Sequence, residues 1–121
     1  MELGSDKIAL KVVEILNNKK ARDIELLDIK DISLLADYFV ICSGGSTTQV
    51  KALADEVEEK MLELGYQPVH KEGYASASWI LLDYGEVVVH IFYYESRAFY
   101  NLERLWSDAR RVNIDYIIGR L

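Results

Sequence analysis

Tyr38-Phe39-Val40-Ile41-Cys42-Ser43-Gly44-Gly45-Ser46-Thr47-Thr48-Gln49-Val50 joins an apolar run to a helical pattern. Tyr38 to Ser43 is apolar on both parities, which predicts a central strand buried on both faces. Ser46 and Gln49 have the S-x-x-Q spacing of a capping box, in which the two side chains satisfy orphan amides at a helix start. Val50, Leu53, Ala54, Val57, Met61 and Leu64 then form one stripe at helical spacing, with Lys51, Asp55, Glu58, Glu59 and Glu63 off it. Gly65 is a natural stop for that helix.

Working outward, Ser5 is placed to cap a first helix running to about Lys20, with Ile8, Val12, Ile15 and Leu16 on its apolar face. Ile24 to Ile29 reads as a strand, and Lys30 to Ala36 as a connection with room for a helical turn. Downstream, Tyr66 to His70 reads as a short strand whose Pro68 argues for a sheet edge. Glu72 to Ser76 is a loop. Ser78 to Asp83 and Glu86 to Tyr93 form a hairpin around Tyr84-Gly85. Ser96 to Arg111 reads as a third helix with Phe99, Leu102, Leu105 and Trp106 apolar. The tail, Val112 to Leu121, carries Ile114, Ile117 and Ile118 without a decisive pattern. The order predicts a single mixed α/β (α+β) domain over residues 1–121, with its core at about 5–111. The sheet is expected to have about five strands, with helices mainly on one face.

The 121 residues suffice for one core that buries roughly two-thirds of the unfolded surface. Half the residues are hydrophobic and 28% are charged, as in ordinary globular domains. Met1 to Asp6 is short and polar, unlike a secretory leader, and the apolar runs fall short of the ~20 residues a membrane helix needs. The single cysteine, Cys42, excludes an internal disulfide, and a reducing cytoplasm is the expected location. The net charge of −6 disfavours direct, sequence-specific nucleic-acid binding and favours a basic protein partner.

Pairing around Tyr84-Gly85 would set Asp83 opposite Glu86, Leu81 opposite Val88 and Trp79 opposite His90. One hairpin face then holds Ile80, Leu82, Val87, Val89, Ile91 and Tyr93, which suits a helix-packed core. The other holds Trp79, Leu81, Asp83, Glu86, Val88, His90 and Phe92. An aromatic anchor, an apolar centre and an acidic rim suit a protein interface. The alternative is that Trp79 and Phe92 fill a second small core under the tail or a loop.

Catalytic chemistry finds less support. Cys42 lies in an apolar strand, where a thiol is inert. His70 and His90 lack a metal-ligand spacing. A strand, Gly-Gly-Ser and a helix can hold a triphosphate, which makes a nucleotide-binding or nucleotidyltransferase-like enzyme using Ser46 and Asp83 the rival reading. That chemistry needs paired carboxylates for magnesium, and Asp83 has Gly85 where a partner would stand. The lysine of a phosphate loop is also missing after the glycines. No catalytic residue, cofactor or metal is therefore expected.

Three blocks carry a family resemblance: LADYFVICSGGSTTQVKALADEV, WILLDYGEVVVHIF and ESRAFYNLERLW. In this order, over roughly Ile8 to Arg110, they resemble the Iojap family of ribosomal silencing factors. The resemblance implies a nucleotidyltransferase-like topology without that activity. It implies binding to the large ribosomal subunit through ribosomal protein L fourteen, a steric block to subunit joining, and lower translation when nutrients are short. A role in large-subunit maturation is also implied. Trp79, the turn Ile80 to Gly85, and His90 match the family's blocks, as do Glu95, Ser96, Arg97, Tyr100, Leu102, Glu103, Leu105 and Trp106. Partner contacts are expected around the Trp79 hairpin. A homodimer is a further option, served by the apolar tail or the exposed sheet face.

Overall fold

The computed structural model describes residues 3–119; Met1, Glu2, Arg120, Leu121 and the Leu105 side chain lie outside it, so expectations falling on them lie outside the described residues. In chain order the elements are α1 (Ser5–Asn18), β1 (Arg22–Asp28), β2 (Tyr38–Gly44), α2 (Thr47–Glu63), β3 (His70–Glu72), β4 (Trp79–Asp83), β5 (Val87–Tyr93), α3 (Tyr94–Tyr100), α4 (Leu102–Leu105), β6 (Arg110–Arg111) and α5 (Asp115–Ile118). The strands form one mixed sheet in the order β3-β4-β5-β2-β1-β6. β2 and β5 run parallel at its centre, and the other neighbours are antiparallel.

All seven residues of β2 are buried, as its two-sided apolar pattern predicts. Its even residues, Tyr38, Val40 and Cys42, join the main core with Ile80, Leu82, Val87, Val89 and Ile91, beneath α1 and α2. Its odd residues, Phe39 and Ile41, join a smaller cluster on the opposite face with Leu27, Ile29, Ala36, Val88, Phe92 and Leu102. Helices thus lie mainly on one face, and α3 and α4 cover only part of the other.

Helix α2 follows its stripe, with Val50, Leu53, Ala54, Val57 and Met61 buried; Leu64 is exposed at the C-cap. It ends in a Schellman motif: Tyr66 N–H donates to Met61 O and Gly65 N–H to Leu62 O, both at 2.9 Å. Its start differs slightly from the expected box. Ser46 Oγ accepts from Gln49 N–H at 3.0 Å, but Gln49 Oε1 accepts from Gly45 N–H rather than from Ser46.

Several expectations are corrected. Ser5 is the first residue of α1 rather than its cap; Gly4 takes that place and Ser5 Oγ donates to Asp37 Oδ2 at 2.7 Å. The edge strand falls at His70–Glu72 rather than Tyr66 to His70, so Pro68 precedes it. The third helix breaks at Asn101, whose left-handed φ of +47° ends α3, and Arg110–Arg111 leave the helix to pair with Leu27 and Asp28 as a sixth strand. Charge explains that pairing: Arg110 Nη2 lies 2.7 Å from Asp28 Oδ2, and Arg111 Nη1 lies 3.4 Å from Glu25 Oε1. The tail supplies a buried residue, Ile114, to the main core, with Val112, Ile117 and Ile118 packed against it.

The hairpin register is also corrected. Trp79 pairs with Phe92, Leu81 with His90 and Asp83 with Val88, two residues from the expected pairing. The turn is therefore Gly85-Glu86, closed by Tyr84 N–H to Val87 O at 2.9 Å. Gly85 has φ +90°, the conformation a two-residue hairpin needs at its first central position. Because side chains alternate with period two, a shift of two keeps every strand residue on its expected face. Glu86 moves from the strand to the turn, Tyr84 leaves the turn, and the strand begins at Trp79 rather than Ser78.

Candidate functional site

The face opposite α1 and α2 carries a band of rings across the sheet. Phe39 meets Trp106 edge-to-face at 5.0 Å and His90 at 4.6 Å. Trp79 stacks on Phe92 at 5.0 Å and leans on Tyr100 at 4.9 Å. The band arises because odd residues of β2 and β4 and even residues of β5 share this face. Arg97 ties the short α3 over one end of it. Its Nε donates to Glu103 Oε1 at 2.6 Å, and its Nη1 donates to Asp23 O at 2.6 Å and Ser43 Oγ at 2.9 Å.

The seven residues marked by the hairpin argument divide by depth. Phe92, His90 and Val88 are buried beneath the band. Trp79, Leu81 and Asp83 are half-buried on β4, and Glu86 is exposed in the turn. The two alternatives for Trp79 therefore meet in one residue. Its ring contributes to a second small core, while part of it faces outward.

His90 is 3% exposed, and burial pushes its imidazole down to about 3. It is neutral at ordinary pH. Trp79 Nε1–H donates to its Nδ1 at 3.1 Å, so the ring proton sits on Nε2. That Nε2 has no polar partner among the described residues. A sealed, neutral ring of this kind orients the indole and cannot reach a substrate.

The groups of the rival reading are occupied. Ser46 Oγ caps α2 and Gly45 N–H is held by Gln49, while the Arg22 guanidinium lies against Gly45. Asp83 Oδ1 accepts from Gly85 N–H at 2.7 Å. Among the described residues no three His, Cys, Asp or Glu side chains are grouped to hold a metal. Cys42 is buried, and desolvation raises its thiol to about 12. No described helix is long and apolar enough to cross a membrane.

Sequence reasoning missed the loop Ile32–Leu35, whose leucines lie exposed beside this face. A pair of apolar residues inside a polar connection was the available signal.

Fold and site define a class: small mixed α/β domains with a parallel central pair, whose thinner sheet face presents aromatic and acidic groups. The family described as ribosomal silencing factor during starvation, RsfS, matches residues 3–119, and the chain belongs to it. It is 47% identical over 100 residues to ribosomal silencing factor RsfS of Bacillus subtilis, covering 83% of this chain and 85% of that one. It is 41% identical over 117 residues to its counterpart in Halalkalibacterium halodurans, covering 97% and 100%. A crystal structure of a Chromobacterium violaceum protein shares the fold with a TM-score of 0.84 and 36% identity, covering 87% of this chain and 88% of that one.

Proposed function

We propose that this protein binds the large ribosomal subunit through ribosomal protein L fourteen, blocks joining of the small subunit, and so represses translation when nutrients are short. Trp79, Leu81, Asp83 and Glu86 make the contact. Val88, His90 and Phe92 hold them from below. The observation that carries the reading is the division by depth on β4 and β5: an apolar, partly open strip with carboxylates at one end lies on a rigid aromatic layer. This is the anatomy of a recognition patch, and a side chain already fixed by its neighbours loses little entropy on binding. The net charge of −6 favours a basic protein surface and is repelled by surrounding RNA. Occupancy of a joining surface needs no bond chemistry.

Co-sedimentation with purified large subunits, with a subunit-joining assay beside it, tests the proposal. Leu81→Ala removes apolar area at a half-buried site that makes no side-chain hydrogen bond. It is expected to weaken binding about tenfold, the effect of roughly 1.4 kcal/mol of lost burial. Wild-type affinity in that variant would remove β4 from the contact. Turnover of a nucleoside triphosphate with magnesium would instead favour the enzyme reading.

A further inference from the structure

The connection between β1 and β2 holds two adjacent leucines in water. Leu34 is fully exposed and Leu35 is 81% exposed, with Ile32 nearly half-exposed beside them. This is no slack loop. Ile29 and Ala36 are buried at its two ends in the cluster of the aromatic face. Ile29 N–H donates to Asp37 O at 2.8 Å, Ile32 N–H and Ser33 N–H both donate to Ile29 O, and Leu35 N–H donates to Ser33 Oγ at 2.9 Å. Asp37 N–H donates to Glu86 O at 2.8 Å, which fastens the loop to the hairpin turn. A loop fixed this firmly, yet presenting its apolar side chains outward, has the character of a docking element.

Its surroundings are acidic. Asp31, Asp83 and Glu86 lie in the loop or the adjoining hairpin end, and none of them forms an ion pair among the described residues. Lys30 and Arg110 nearby are both drawn to Asp28, at 3.7 Å and 2.7 Å. An apolar tip with an acidic rim fits a basic protein surface bearing a shallow aliphatic recess.

We infer that Ile32, Leu34 and Leu35 form a second anchor that seats in a basic protein surface beside the Asp83 and Glu86 end of the proposed contact. The inference rests on the function proposed above and extends the contact past the hairpin turn, where the loop is fastened to Glu86 O. Both parts then engage the same partner, and the loop sets the angle at which the sheet face meets it.

The test compares wild type, Leu34→Ser/Leu35→Ser and Leu34→Met/Leu35→Met for binding to purified large subunits, with sedimentation of each protein alone. The serine variant is expected to bind about tenfold more weakly or worse. Its melting temperature should match wild type, because side chains this exposed contribute little to the core. The methionine variant should recover most of the affinity. Unchanged binding by the serine variant, while wild type binds, overturns the inference and leaves the β4 contact standing. Loss of self-association without loss of subunit binding also overturns it, assigning the loop to a second copy of the chain. Failure of wild type to bind sinks both readings together, and a Leu81→Ala result in the same assay shows which contact fails alone.

Discussion

At the scale of single residues, Trp79 and His90 act as one unit. The indole N–H finds its acceptor on an imidazole that must be neutral to provide it. His90 titrates near 6.5 in the unfolded chain and is pushed down to about 3 by burial in the fold. Between those values the unfolded chain binds more protons, so stability falls as pH falls. The contribution is complete above about pH 6.5 and is lost toward pH 3, at up to about 1.4 kcal/mol per pH unit. Urea unfolding at pH 7 and pH 4.5 should show a larger loss for wild type than for His90→Gln, which keeps an acceptor for the indole but cannot charge. Equal losses would mean that His90 does not carry this dependence. The parity of β4 and β5 made the face of each residue legible in advance. The depth of His90 was not legible, because it depends on Phe39 and Trp79, which come from two other strands.

At the scale of elements, two glycines, one between β3 and β4 and one between β4 and β5, test how the strands around β4 are joined. A Cβ on Gly73 would stand 2.0 Å from Trp79 O, and its φ is +83°. Gly85 has a similar φ of +90°, but a Cβ there meets nothing within 4 Å. Gly85→Ala should cost about 1 kcal/mol, the strain of the left-handed backbone alone. Gly73→Ala should cost clearly more, because the backbone carrying Trp79 must also move. Thermal melts of the two variants give the comparison, and equal costs would contradict the close approach. Helix α2 was readable because its stripe, its cap and its stop all agree. The break in the third helix was not. The segment Ser96 to Arg111 keeps helical spacing, and its division depends on Arg97 reaching Asp23 and Ser43, and on Arg110 finding Asp28. Those are contacts of 54 to 82 residues in separation, invisible to local periodicity. The hairpin slip has a local cause: Tyr84-Gly85 and Gly85-Glu86 both contain the required glycine, and only the second puts it first.

At the scale of the whole molecule, the C-terminal segment belongs to the main body. Ile114 is buried in the core beneath α1, and Asn17 Nδ2 donates to Ile117 O at 3.1 Å. Ile114→Ala should therefore lower stability by about 2–4 kcal/mol in chemical unfolding. A loss under about 0.5 kcal/mol would show that the segment only rests on the surface. Its sequence alone left it unassigned, since a four-residue helix has too few turns to show a stripe.

The six-stranded sheet ends on both sides in very short strands. β3 is His70-Lys71-Glu72 and β6 is Arg110-Arg111, three and two residues long, charged or titratable throughout. Such margins are poor templates for another chain's backbone. The molecule is thus guarded against growing sideways into fibres or borrowing a strand from a neighbour. A visitor has to be met side chain to side chain, which makes recognition a matter of shape and charge and keeps it reversible.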